Sequence, residues 1–200
     1  MAQAAKKPQT TYPEYLAVAE ASPSKQEFFD GQIFAMSGGS VLHGILTARF
    51  IGVLYGQLGN GPCRAGSSDV RIFLPHLGQA AYPDLSVICG RPAYDPRDPQ
   101  GLTNPVVVVE VLSPTSESWD RGGKFERYAG LASLKDYILV TQDHDRIEHF
   151  ARNADGTWTY RDLHAGEVLR LTGVTAEVRV DDLFVGVEEL REPDVPVAGG

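Results

Sequence analysis

Apolar positions along this chain recur with two periods, and the switches between them mark the elements. A short helix is predicted after Thr10 or Thr11, either of which can cap it, with Pro13 in its first turn and Glu14 near the positive end of the helix dipole. Tyr15, Leu16 and Ala19 share its inner face, and Ser22-Pro23-Ser24 stops it. Asp30-Gly31 between two apolar-containing runs predicts a tight hairpin, because a type I′ turn needs positive φ at both central residues. Ser40 can cap the next helix, over 41–58, where Leu42, Ile45, Leu46, Phe50, Val53 and Leu54 recur at helical spacing. Gly59-Asn60-Gly61-Pro62 ends it. Short strands follow over 63–66 and 70–74, then a turn over 75–81 and a strand over 84–89. Residues 90–105 carry four prolines and no periodicity, and read as a long exposed loop. The strand over 106–112 is apolar on both faces, so it belongs in the middle of a sheet. A helix over 118–131, a buried strand over 136–140 and a hairpin of strands 146–152 and 157–162 come next. Short strands and one turn near Asp181-Asp182 close the pattern.

This order of elements is that of an α/β or α+β protein with one mixed sheet flanked by helices. A chain of 200 residues fits a single domain, here 11–190, with loose tails over 1–10 and 191–200. Hydrophobic residues make 42% of it, as in an ordinary soluble globule. No apolar run approaches the ~20 residues of a membrane span, and the N-terminus lacks the apolar segment of a signal peptide. The expected compartment is the cytoplasm, with no membrane partner. Cys63 and Cys89 have no recognisable pairing or metal-ligand spacing and are expected to be buried, reduced thiols. The formal net charge of −8 argues against coating nucleic acid by bulk electrostatics, though not against a local basic patch.

The candidate chemistry lies between Tyr82 and Tyr128. Glu110 sits inside Val-Val-Val-Val-Glu-Val-Leu, where a lone ionised carboxylate is expensive to bury and is normally paired, metal-bound or functional. Asp84 follows a proline at the start of a buried strand; by itself it reads equally well as a turn cap. On neighbouring strands the two can converge on a hard cation such as Mg²⁺ or Mn²⁺, with the Val111 backbone carbonyl as a further ligand. A lone lysine on an amphipathic helix is ordinarily a solvated charge. Lys124 is singled out because it lies one short helix beyond the Glu110 strand, flanked by Arg121 and Arg127, where it can orient water or bind phosphate. Glu27 on the hairpin and His43 in the first turn of the long helix are further candidates, against the plainer readings of an edge charge and a surface histidine. His144 and His149 look structural, and Gly38-Gly39 and Gly122-Gly123 look like turns or close packing.

Glu27-Phe-Phe-Asp-Gly-Gln-Ile, Gly66-Ser-Ser-Asp-Val-Arg71, Tyr82-Pro-Asp84, Val109-Glu-Val-Leu-Ser-Pro114 and Asp120-Arg-Gly-Gly-Lys124 with Tyr128 resemble, in order and spacing, the Uma2 family. That family is grouped with the PD-(D/E)XK nuclease superfamily of restriction-endonuclease-like proteins, and the match runs from about Tyr12 to Tyr160. The resemblance implies a central mixed sheet flanked by helices and metal-dependent cleavage of phosphodiesters. It places the aspartate of the proline-aspartate element on Asp84 and the second acid on Glu110. The lysine that should follow two residues later falls on Leu112, and a lysine migrated to the neighbouring helix, Lys124, fits its role. The leading expectation is a Mg²⁺- or Mn²⁺-dependent DNA endonuclease, with a homodimer suiting a cut on both strands. The competing expectation is a catalytically silent nuclease fold used as a nucleic-acid or protein interaction module.

Overall fold

The computed structural model describes residues 9–36 and 38–191. Helix α1 (Tyr12–Ala21) leads into the hairpin β1 (Gln26–Phe29) and β2 (Gln32–Ala35), then helix α2 (Val41–Leu58). Strands β3 (Cys63–Ser67), β4 (Ile72–Leu74), β5 (Gln79–Ala81), β6 (Leu85–Cys89), β7 (Tyr94–Asp95), β8 (Asp98–Leu102) and β9 (Pro105–Val111) follow. Next, α3 (Glu117–Trp119), a π-helical turn (Asp120–Lys124) and α4 (Phe125–Ala129) form one continuous helical stretch. The chain continues through β10 (Asp136–Val140), β11 (Arg146–Arg152), β12 (Trp158–His164), β13 (Val168–Arg170), β14 (Glu177–Arg179) and α5 (Val180–Phe184).

There are two six-stranded sheets where one was expected. The central sheet runs β12-β11-β10-β9-β6-β3, with β9 and β10 parallel and the other pairs antiparallel. The second runs β2-β1-β5-β4-β8-β7. Alternation along β9 sorts its side chains. Val107, Val109 and Val111 pack towards α2, where Leu42, Leu46, Phe50 and Leu54 are buried. Val108 and Leu112 face the second sheet and the helical stretch, packing with Phe29, Ile72, Leu74 and Tyr128. Each such buried side chain contributes roughly 1.5–3 kcal/mol. By length and mean hydropathy, 1.3 over its 18 residues, α2 could cross a membrane, but its Leu42–Leu54 stripe is taken up by the sheet.

The hairpin has the expected turn, with φ of 49° at Asp30 and 75° at Gly31. Two parts of the second sheet depart from the sequence reading. Gln79–Ala81 form β5 inside the expected turn, and the expected exposed loop contains β7 and β8. Asp98 explains the latter: it is buried, accepts two bonds from Arg71 (2.6 and 2.8 Å) and one from the Tyr12 hydroxyl (2.7 Å). Its partners come from far along the chain, so no local pattern announces them. The turn near Asp181-Asp182 is instead the short helix α5. Of the expected N-terminal tail, Thr10 is tied down, its N–H donating to the Gly31 carbonyl at 3.0 Å. Arg191 likewise donates to the Gln142 carbonyl at 3.1 Å. Residues 1–8 and 192–200 of the expected tails lie outside the described residues.

The cysteines are also corrected. Cys63 and Cys89 form a disulfide. They lie directly opposite each other where β3 and β6 pair, with Cα atoms 4.0 Å apart, a register that spacing in sequence could not reveal. Replacing both with alanine is expected to cost about 2–4 kcal/mol of stability, read from urea unfolding under non-reducing conditions. Equal stability of variant and parent would show that the bond contributes nothing in solution.

Candidate active site

Strands β6 and β9 pair antiparallel with Leu85 opposite Val109, so Asp84, one residue earlier, comes beside Glu110. Both project from the face that looks towards the helical stretch. Asp84 does take a backbone N–H, as the turn-cap reading suggested, but from the neighbouring strand: its Oδ2 accepts from Val111 N–H at 2.7 Å. The same oxygen lies 3.1 Å from His43 Nε2. Ser40 caps α2 by accepting the His43 N–H at 3.0 Å, which fixes where the imidazole starts. The hydrogen bond to Asp84 raises the His43 pKa against the opposing pull of burial, and the Val111 main chain adds to the rise.

The π-helical turn brings Lys124 over the same strands. Its Nζ lies 3.2 Å from Glu110 Oε1, 3.4 Å from Glu27 Oε1 and 3.5 Å from Asp120 Oδ1. Glu27 Oε1 also accepts the Tyr82 N–H at 3.0 Å, and the Tyr128 hydroxyl stands 3.5 Å from Glu110 Oε1. Glu110, Lys124 and Asp120 are 3%, 7% and 2% exposed, so this cluster is almost closed to bulk water. Burial pushes Glu110 well above the usual glutamate range, with Lys124 pulling the other way and the neighbouring carboxylates adding to the rise. Burial pulls the Lys124 pKa down, but Glu110, Glu27 and Asp120 together hold it above that of a free lysine, so the ammonium stays charged. Asp120 Oδ1 is near enough to Lys124 to count as an ion pair, yet makes no directional hydrogen bond and is otherwise unpartnered.

The five residues singled out in the sequence fall into two groups on neighbouring strands, Asp84 with His43 and Lys124 with Glu110 and Glu27. Glu27 is not a solvated edge charge but is buried against Lys124, and His43 is partly buried and engaged with Asp84. Asp120 and Tyr128 stood in the motif that ends at Tyr128 but were not singled out as site residues. The available signal for Asp120 was its place four residues before Lys124, on the same helical face. Leu112, at the position where the resemblance expects a lysine, is in the core, which leaves the cation to come from the helix. His149 is buried and its Nε2 lies 2.8 Å from Asp136.

Gly123 owes its identity to this turn. A Cβ there would collide with the Trp119 ring, which Phe29 meets edge-on at 5.3 Å and the Arg127 guanidinium covers at 4.6 Å. The ring cannot swing aside cheaply, so Gly123→Ala is expected to cost about 1–3 kcal/mol through overpacking. A thermal melt checks this; an unchanged melting temperature would mean that the turn has room to spare.

Three carboxylates, Glu27, Glu110 and Asp120, thus surround Lys124, and a fourth, Asp84, pairs with His43 on the adjoining strand. Among the described residues, no three His, Cys, Asp or Glu side chains converge closely enough to cage a metal by themselves. The donor set still suits a hard divalent cation. It is all oxygen, it carries excess negative charge, and it includes Asp120 Oδ1, which faces Lys124 without a hydrogen bond. Mg²⁺ in particular is commonly held by one or two carboxylates, with waters and substrate phosphate completing its shell.

The Uma2 family model, described as "Putative restriction endonuclease", matches residues 12–181. An uncharacterized protein of the cyanobacterium Synechocystis is 38% identical over 183 residues, covering 90% of this chain and 94% of the relative. A second uncharacterized Synechocystis protein is 31% identical over 153 residues, covering 76% of this chain and 86% of the relative. Among solved structures, a "putative nuclease belonging to DUF820" from Anabaena variabilis superposes with a TM-score of 0.72 at 15% identity, covering 87% of this chain and 97% of that one. At that identity the likeness is one of fold.

Proposed function

The chain belongs to the Uma2 family, and from its carboxylate–lysine cluster we propose that it is a Mg²⁺- or Mn²⁺-dependent endonuclease that hydrolyses phosphodiester bonds in DNA. The observation that carries this reading is Lys124 Nζ within 3.2–3.5 Å of Glu110, Glu27 and Asp120, beside the strand pair that presents Asp84. Asp84 and Glu110 would hold the metal, with the Val111 carbonyl as a further ligand. Such an ion, when bound, lowers the pKa of water and neutralises charge building on a phosphate. His43 and the Val111 N–H orient the Asp84 carboxylate. Glu27 and Asp120 keep Lys124 charged and in place, so that its ammonium can direct a water or meet a phosphate oxygen. Burial of the cluster excludes bulk water, which strengthens these interactions.

A second reading, a silent nuclease fold serving as an interaction module, draws on the −8 net charge and on the pairing of arginines near the site. Arg121 is engaged with Glu148 and Glu117, and Arg127 with Asp30. Incubating plasmid and single-stranded DNA with the protein in Mg²⁺ or Mn²⁺ separates the two. The endonuclease reading expects cleavage that chelation abolishes and Asp84→Asn removes. Intact DNA under all these conditions would favour the module.

A further inference from the structure

A cavity of about 330 Å³ opens near the cluster, lined in part by Asp69, Arg71, Tyr82, Ile88, Tyr94 and Gln100. We infer that it receives an unpaired base of the nucleic-acid strand whose backbone meets the carboxylate–lysine cluster, a proposal that rests on the nuclease reading.

Two connections tie the cavity to the cluster. Tyr82 belongs to both: its N–H donates to Glu27 Oε1 at 3.0 Å, while its hydroxyl accepts from Arg71 Nη1 at 3.2 Å on the cavity side. Asp69, at the rim, pairs at 2.8 Å with Lys25, two residues before Glu27 on the hairpin. Ile88 lies two alternations along from Asp84, on the same face of β6, which puts the two Cα atoms about 13 Å apart along the strand.

The chemistry of the walls selects a flat, neutral ligand over a phosphate. Arg71 is the cationic side chain among the lining residues, and its charge is taken up by the buried Asp98 through two bonds. Asp69, the anionic one, is matched by Lys25. What remains is a half-exposed aromatic ring, Tyr94, an apolar wall including Ile88, and hydrogen-bonding edges from the Tyr82 hydroxyl and the Gln100 amide. An aromatic platform with a few neutral polar edges is what a nucleobase needs, because every base offers a π-face for stacking and donors or acceptors on its rim. The cavity volume lies at the small end of the range for ligand sites. A base can enter only if it is out of a duplex stack, so the preferred substrate is single-stranded DNA or a duplex distorted at that position.

The test is binding in the presence of chelator, so that no strand is cut. Anisotropy titrations compare a labelled single-stranded oligonucleotide with a strand of the same length made wholly of abasic nucleotides. The wild type is expected to bind the base-bearing strand about tenfold more tightly. Tyr94→Ala should erase that preference while leaving abasic affinity unchanged, Tyr94→Phe should restore it, and Gln100→Ala should reduce it in part. No preference in the wild type, no binding of either strand, or equal weakening of both by Tyr94→Ala overturns the proposal. Metal-dependent cleavage run in parallel keeps the two claims apart. Cleavage without base preference removes the pocket alone, whereas base-dependent binding without cleavage removes the nuclease reading and keeps the pocket.

Discussion

Lys124→Met is expected to destabilise the metal-free protein by about 3–5 kcal/mol, because it leaves buried carboxylates without their cation. Glu27, Glu110 and Asp120 converge within 3.5 Å of the ammonium that methionine would delete. The effect should depend on pH. Glu110 has a folded pKa raised above its ordinary 4.5, so the folded state holds that proton more tightly than the unfolded chain does. The stability this gives is fully present below about 4.5 and is lost as pH rises through the folded value. Lys124 pulls that value down; without it Glu110 rises further and the window of loss widens. The deficit should therefore be larger at pH 8 than at pH 5, as read by urea unfolding with chelator present. A loss below about 1 kcal/mol, or one equal at both pH values, would show that the cluster does not depend on its lysine for charge balance.

Asp84→Asn is expected to lower metal-dependent cleavage by about 100- to 1000-fold, the size of effect that follows loss of one preorganised charge at a reacting centre. Asparagine is chosen because its side-chain oxygen can still accept the Val111 N–H that Asp84 accepts at 2.7 Å. Alanine would leave that buried donor unsatisfied and cost about 1–3 kcal/mol, confusing lost chemistry with lost fold. Urea midpoints of variant and parent should then agree closely while their cleavage rates separate. Cleavage within threefold of the parent would remove Asp84 from the metal site.

The residues that converge here were legible to the extent that their burial was written locally. Glu110 stands out because six apolar neighbours surround it in one strand, and that strand is central. The Asp30-Gly31 turn and the Ser40 cap were equally readable, since each depends on a few adjacent residues. The second sheet was not. Strands β5, β7 and β8 are two to five residues long, too short to show a period, and Asp98 is made tolerable by Arg71 and Tyr12 from distant elements. The Cys63–Cys89 bond failed for the same reason, being a consequence of strand register. The π-helical turn that contains the buried Asp120 and Lys124 is itself invisible to a 3.6-residue pattern, although their four-residue spacing is not. Glu27 illustrates the general difficulty: a carboxylate on a short hairpin reads as a solvated charge until the lysine that buries it is located in space.

The most direct measurement is a thermal melt of the wild type, Asp84→Asn and Glu110→Gln, each with and without Mn²⁺. A ligand that binds only the folded state stabilises it by about 2.7 kcal/mol at 100 times its Kd. A Mn²⁺-dependent rise in melting temperature in the wild type, absent from both variants, is the predicted result. No rise in the wild type, or the same rise in all three proteins, would contradict a metal site built on Asp84 and Glu110.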